Sequence, residues 1–118
     1  MVNGTTKVSG IAKRWSVEPE TVRAVLKEAD IRPVEMSPAR YALRDIIAFE
    51  GIGYIPKHLI EEILRPLLTP VEVQRRYFPD DSARAIRDRS QAGRLPGVKI
   101  GKQWRFYEHL VREACLYE

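Results

Sequence analysis

The sequence predicts a mainly α-helical protein with a small β-hairpin, built from two tandem copies of one helical unit. Three observations indicate this class. Apolar residues recur at helical spacing along most of the chain. Prolines and small polar residues stand where helices should begin, and the stretch RLPGVKIGKQWRFY near the C-terminus has the strand and turn signals of a hairpin. With 118 residues, the chain can form one compact domain or two very small ones.

Composition excludes several classes of protein. The chain is 44% hydrophobic and 31% charged, as folded globular proteins are. No apolar run approaches the roughly 18 residues of a membrane span, and the first ten residues lack the apolar stretch of a secretory signal. The single cysteine, Cys115, cannot form an internal disulfide or a zinc site. We therefore expect a cytoplasmic protein in which Cys115 packs as a small apolar side chain rather than as a free surface thiol.

The first half of the chain predicts three helices. A helix over 6–15 has one apolar face, and Pro19 suits the first turn of the next helix. Arg23 and Lys27 point outward from this second helix. Residues 31–43 contain two prolines and predict a loop or ragged hairpin, after which 43–49 resume a helical pattern. The inner stripes of the first two helices consist of Val8, Ile11, Ala12 and Trp15, and of Val22, Val25, Leu26 and Ala29.

The middle of the chain predicts a connector helix. Pro56 opens a helical pattern that Pro66 should end, so that the helix spans 56–65. Its apolar stripe has no clear partner within either flanking unit, and we expect it to pack against both. The stripe consists of Leu59, Ile60, Ile63 and Leu64.

The second half predicts a helix-turn-helix followed by a hairpin. Thr69 and Glu72 have the spacing of a capping box, and Ser82 can cap a second helix over 83–92 that Gly93 stops. Two short strands, 98–100 and 104–106, flank a turn at 101–103, and a last helix spans 108–116. The same order of elements recurs in both halves, which predicts a diverged repeat of about 60 residues. The predicted divisions are a degenerate unit over 1–53, a connector over 54–67 and a second unit over 68–118.

The second unit carries a concentrated positive charge. Residues 84–105 contain seven cations and a single acid, Asp88, in a chain whose net charge is +4. Such a stretch indicates a polyanionic partner, namely nucleic acid. A solvated basic face explains the charge alone equally well.

A helix-turn-helix can lay its second helix in the major groove of DNA. If Ile86 faces inward, then Arg84, Arg87, Asp88 and Gln91 face outward; arginine can bind guanine and glutamine adenine. Basic residues around the Gly101 turn could reach backbone phosphate or the minor groove, and Trp104 is expected to anchor the hairpin to the core. The candidate DNA-binding residues are Arg84, Arg87, Gln91, Arg94, Lys99, Lys102 and Arg105, with Arg23 and Lys27 in the first unit.

The C-terminal half resembles the MerR-like winged helix-turn-helix domains of the excisionase group. The resemblance covers about 50 residues. It departs from the family pattern at Gln74, at Ala85 and in a lengthened turn at 79–81. The residues that carry it are Leu68-Thr69-x-x-Glu72-Val73 and then Gly93-x-Leu95-Pro96-x-x-Lys99-Ile100-Gly101-x-x-Trp104-Arg105-Phe106.

The N-terminal half is similar to this superfamily more weakly. Val17-x-x-x-Thr21-Val22 matches in part, and Arg40-Tyr41-x-Leu43-Arg44-Asp45 resembles the end of the degenerate wing in phage terminase small subunits. The resemblance implies two tandem winged helix-turn-helix units and sequence-selective binding of double-stranded DNA. It also implies a role as an excisionase-like recombination directionality factor or a transcription regulator of a mobile element, with a recombinase or further copies of itself as partners. A terminase-like packaging role is the alternative.

Other function classes have weaker support in the sequence. His58 and His109 are isolated on predicted helices, so neither has a nucleophile to activate. Asp80, Asp81 and Asp88 could hold a metal, but turn and cap roles explain the first two. We therefore expect no catalysis, cofactor or metal. A protein-interaction adaptor remains open, because the connector's apolar stripe or the Trp15 face could form a dimer seam.

Overall fold

The computed structural model describes residues 3–116 and divides the chain into two compact units, residues 1–66 and 67–118. The protein is mainly helical with two small antiparallel sheets of two strands each, which confirms the predicted class at this level. Among the described residues, no helix is both long and apolar enough to cross a bilayer.

The first unit packs three main helices around an apolar core, beside a short pair of strands. The pair joins Thr5 to Ala42 and Thr6 to Tyr41. The strand at the N-terminus was not predicted, because two threonines give no alternating pattern. The elements in chain order are β1 (Thr5–Thr6), α1 (Val8–Trp15), α2 (Pro19–Glu28), β2 (Tyr41–Ala42), α3 (Leu43–Phe49), a 3-10 turn (Lys57–Leu59) and α4 (Ile60–Ile63).

Buried residues in this unit follow the predicted helical stripes closely. Ile11 and Trp15 of α1 and Val22 of α2 are fully buried, because residues spaced by three or four share a helix face. Ala29 was predicted to lie on the inner stripe, and this is wrong. It caps α2 and is exposed, since the next residue, Asp30, turns into the left-handed region with φ of 55° and ends the helix.

A buried ion pair joins distant parts of the first unit. The Arg14 guanidinium donates to both carboxylate oxygens of Glu50, at 2.8 and 2.7 Å, and the indole nitrogen of Trp15 donates to the same carboxylate at 2.6 Å. Arg14 also donates to the carbonyl oxygens of Ile63 and Arg65. Glu50 is thereby satisfied at 4% exposure, and the segment that contains α4 is fastened to α1.

The predicted connector helix over 56–65 is shorter in the structure. A 3-10 turn at Lys57–Leu59 leads into the single turn of α4, and Ile63 is its buried side chain. The prediction that this segment has no clear partner within a flanking unit is wrong, because Arg14 binds its carbonyl groups and the segment groups with the first unit.

The second unit forms its core between helices α5 and α6, a hairpin and the last helix. Its elements are α5 (Pro70–Tyr77), α6 (Ala83–Gln91), β3 (Val98–Ile100), β4 (Gln103–Arg105) and α7 (Glu108–Leu116). Leu68 and Phe106 also exchange two backbone hydrogen bonds, which tie the entry of α5 to the end of the hairpin. The buried core consists of Leu68, Val73, Ile86, Leu95, Phe106 and Val111, and Tyr77, Phe78, Trp104, Ala114 and Cys115 pack against it.

The predicted caps of the second unit are confirmed. Thr69 accepts from the Glu72 amide at 3.2 Å and the Glu72 carboxylate accepts from the Thr69 amide at 2.9 Å, which completes the capping box. Ser82 accepts from the Ala85 amide at 3.1 Å. At the other end of α6, Gly93 has φ of 77°, and the amides of Gly93 and Arg94 close the helix on the carbonyl groups of Ser90 and Arg89.

Both units use the same order of elements. In each, a segment before the first helix pairs with the end of a hairpin, two helices follow one another, and a further helix follows the hairpin. In the first unit the hairpin is the segment 34–40, closed by a bridge between Glu35 and Arg40. Helix α2 ends with the same pair of hydrogen bonds as α6, with Asp30 in the place of Gly93.

Candidate nucleic-acid interface

Helix α6 presents a polar face to solvent and an apolar face to the core. Ile86 is fully buried, and the Ser90 hydroxyl donates to the Ile86 carbonyl at 3.2 Å. At about 100° per residue, the predicted outward residues fall within roughly one third of the helix circumference. All of them are exposed, as predicted: Arg84, Arg87, Asp88 and Gln91. Arg94, just beyond the helix, is exposed as well.

The turn before α6 is held by a contact that sequence reasoning missed. Arg89 donates from Nη2 to Oδ2 of Asp81 at 2.7 Å, and its guanidinium lies 4.3 Å from the ring centroid of Phe78. Its Nη1 is buried and has no hydrogen-bond acceptor within the described part of the chain. Arg89 therefore connects α6 to the end of α5 and partly neutralises Asp81, an acid that would otherwise stand beside the predicted DNA path. Nothing in the sequence pairs these two residues.

The hairpin has a two-residue turn, Gly101-Lys102, between strands paired in a defined register. Val98 lies opposite Arg105, Lys99 opposite Trp104 and Ile100 opposite Gln103. Gly101 takes φ of 62°, a conformation that glycine adopts without strain. Lys99 and Lys102 are exposed, and Nζ of Lys99 lies 5.5 Å from the Trp104 ring centroid.

Trp104 anchors the hairpin, as predicted. Its ring is half-buried against the second unit's core, and a Cβ added at Gly97 would stand 3.1 Å from it and 2.8 Å from the ring of Phe106. Both aromatic rings therefore close over Gly97, which must lack a side chain.

The prediction that Arg105 lies at the hairpin surface is wrong. Arg105 is 6% exposed, and its guanidinium donates to the carbonyl of Trp104 and to Oε1 of Gln103, both at 2.6 Å. Burial lowers the pKa of Arg105, and the charge of Glu72 opposes that shift. The reason for the error is the pairing register. Strands 98–100 and 104–106 around a three-residue turn would place Arg105 opposite Lys99, whereas the two-residue turn places it opposite Val98, on the other face of the hairpin. Arg105 therefore shares a face with Val98 and Ile100.

A third acid of the second unit, Glu108, forms contacts between two helices. Glu108 of α7 accepts from Arg76 at 3.0 Å and from the Tyr77 hydroxyl at 2.9 Å. Burial raises the pKa of Tyr77, and the hydrogen bond to Glu108 adds to the rise. The Glu108 pair also raises the pKa of Arg76. These contacts fix α5 against α7.

The first unit offers a different surface at the corresponding places. Arg23 and Lys27 of α2 are exposed, as predicted. Counting from the start of each helix, however, Glu20 stands where α6 has Arg84. The hairpin of this unit exposes Val34 and Met36, at 55% and 71%, where the second hairpin has lysines.

The remaining candidates form no evident site. His58 is exposed, and His109 lies with its ring centroid 5.6 Å from that of Tyr107. Cys115 is half-buried and packs against the second core, as expected. Within residues 3–116, no three histidine, cysteine, aspartate or glutamate side chains are grouped to hold a metal ion.

Comparisons with protein-family models, with curated proteins and with solved structures return no match to this chain. The resemblance to the excisionase group therefore remains a prediction from the residues quoted above.

Proposed function

We propose that this chain is a sequence-selective double-stranded DNA-binding protein whose second unit acts as a winged helix-turn-helix. In this proposal α6 enters the major groove and the β3–β4 hairpin follows the adjacent backbone. The first unit is a diverged copy with a lesser DNA role through Arg23 and Lys27.

The proposal rests on which charged side chains of the second unit are paired and which are left to solvent. Glu72, Asp81 and Glu108 are engaged in a helix cap or in ion pairs with Arg89 and Arg76. The exposed cations of α6, of the hairpin and of the segment between them have no ion pair among the described residues; they are Arg84, Arg87, Arg94, Lys99 and Lys102. Asp80 and Asp88 are exposed without an ion pair among the described residues, but the five cations outnumber them, and a surface with this excess of positive charge suits a polyanion.

In this proposal, helix α6 and the β3–β4 hairpin make different kinds of contact with DNA. Arg84 and Arg87 can each bind the O6 and N7 atoms of guanine, and Gln91 the N6 and N7 atoms of adenine. Lys99, Lys102 and Arg94 provide point charges or donors for phosphate, which position the protein without reading sequence. We propose an excisionase-like factor or transcription regulator of a mobile element, acting with a recombinase or with further copies on adjacent sites. A phage packaging protein is the alternative.

Selection from random duplexes, followed by footprinting of the winner, tests this function. We expect a defined motif and an affinity that falls steeply between 50 and 200 mM salt, because several phosphates release counterions. Retention of no duplex at low salt, or equal retention of all duplexes, would overturn sequence-selective binding.

A protein-interaction adaptor is the second candidate. The first unit exposes Val34, Met36 and Tyr54, the last at 81%, and such apolar side chains suit a protein surface. Association through such apolar side chains would be almost insensitive to salt, in contrast to DNA binding.

A further inference from the structure

Asp88 is the one acid on helix α6, and it lies on the outward face with Arg84, Arg87 and Gln91. It follows Arg84 by four residues and so lies one helical turn along the same face. A carboxylate at this place is unexpected on a surface that faces phosphate, since like charges repel.

The fold gives Asp88 no structural role that would explain its presence. Ser82 caps α6, and the Asp88 side chain makes no hydrogen bond or ion pair among the described residues. Asp81, by contrast, is paired with Arg89. The neighbouring arginines Arg84 and Arg87 also leave Asp88 unpaired, so its carboxylate is available to a ligand.

The major groove offers that carboxylate a selective partner. An ionised carboxylate only accepts hydrogen bonds. Cytosine presents its N4 amino group as a donor, guanine presents the acceptors N7 and O6, thymine presents O4, and adenine places an acceptor beside its amino group. A carboxylate at the groove floor therefore attracts cytosine and repels guanine and thymine.

Building on the proposed DNA-binding function, we propose that Asp88 is a specificity-determining residue that accepts a hydrogen bond from the N4 amino group of a cytosine in the bound duplex. The adjacent Arg84 and Arg87 supply the attraction to guanine and phosphate. Asp88 supplies discrimination, because it lowers the affinity for every duplex that places an acceptor opposite it. The predicted target site therefore has a cytosine at the position that Asp88 contacts.

Three full-chain variants distinguish a loss of base preference from the effect of removing one negative charge. Asp88→Ala removes the acceptor, and Asp88→Asn replaces it with an amide that can bind adenine at N6 and N7. Asp80→Asn is the matched control: Asp80 is an exposed acid of the same unit, in the turn before α6. Each variant removes one negative charge, so the effect of net charge on affinity should be similar in all three.

The measurement is the dissociation constant, by fluorescence anisotropy at fixed salt, for the selected site and for all single base-pair changes in it. At one position we expect the wild type and Asp80→Asn to prefer cytosine by about fivefold or more. Asp88→Ala should lose that preference to about twofold or less, and Asp88→Asn should shift it to adenine. Preferences at the other positions should persist, which also shows that the variants are folded.

The outcomes distinguish this inference from the function on which it rests. If the wild type binds a defined site but Asp88→Ala keeps every base preference, the role of Asp88 is overturned and DNA binding stands. If Asp88→Ala and Asp80→Asn change all preferences equally, Asp88 acts through charge alone and the inference fails. A wild type that retains no duplex overturns both.

Discussion

The two units share an order of elements and differ in the side chains that they expose. The fourth residue of each second helix is fully buried, Val22 in α2 and Ile86 in α6, and the eighth is buried in both. The exposed second position is Glu20 in one and Arg84 in the other. Buried positions are constrained by packing, whereas exposed positions are free to take a function.

The two units also differ in their charged side chains. Residues 1–66 carry ten basic and nine acidic side chains, and residues 67–118 carry ten and seven. In the first unit the Arg14–Glu50 pair is buried, whereas the Arg76–Glu108 and Arg89–Asp81 pairs of the second unit are partly exposed. Each unit buries one arginine, Arg14 or Arg105, and the units differ in net charge, which is +1 (10 − 9) in the first and +3 (10 − 7) in the second.

The largest effect should come from breaking the buried pair of the first unit. Glu50→Gln leaves the Arg14 guanidinium buried without its counter-charge, and we expect the free energy of unfolding to fall by about 3–5 kcal/mol. Urea unfolding followed by tryptophan fluorescence measures this. Asp30→Asn, which breaks the exposed pair with Arg32, is the control and should cost less than about 1 kcal/mol. Equal losses of unfolding free energy would show that burial does not determine how much each pair stabilises the protein.

The second largest loss of stability should come from a substitution at the start of the second unit's hairpin. Gly97→Ala puts a Cβ 2.8 Å from the Phe106 ring, and we expect a loss of about 1–3 kcal/mol in unfolding free energy through overpacking. Gly53→Ala, in the first unit, meets no atom within 4 Å and serves as the control. A thermal melt that is unchanged by Gly97→Ala would contradict the close packing of the two aromatic rings.

The corresponding arginines of α6 and α2 test which unit reads DNA. Arg87→Ala should cost about 1–3 kcal/mol of binding free energy on the selected site, and relax the preference for one base. Arg23→Ala changes the same position of the first unit and should cost less. Anisotropy titrations on selected and random duplexes compare them. Similar losses on both duplexes would make Arg87 a phosphate contact, and similar losses for both variants would mean that the units contribute alike.

The smallest effect should come from one lysine of the hairpin turn. Lys102→Ala should weaken binding to all duplexes alike and lower the slope of log affinity against log salt by about 1, because one phosphate contact is lost. Lys13→Ala, an exposed cation of the first unit, should leave the slope unchanged. A slope that Lys102→Ala does not alter removes the hairpin turn from the proposed interface.

Sequence reasoning predicted the helices of the candidate interface well and its hairpin less well. The bounds of α6, its cap at Ser82 and the outward placement of Arg84, Arg87 and Gln91 follow from short-range periodicity. Arg105 was misplaced because β4 begins one residue earlier than predicted. A strand of only three residues does not show, from its sequence, which residues of the partner strand it pairs with. The Asp81–Arg89 contact and the Phe78 stacking depend on how the turn folds back, which no spacing rule describes.

The sequence by itself determined the helical class, the apolar stripes and the starts of α5 and α6, because each depends on residues a few positions apart. The tertiary structure alone decided which charges are paired. Arg14 meets Glu50 across 36 residues and Arg76 meets Glu108 across 32. Whether a cation turns toward solvent or toward an acid depends on packing between elements distant in sequence, since the cost of burying a charge is met only where a partner lies within hydrogen-bond distance.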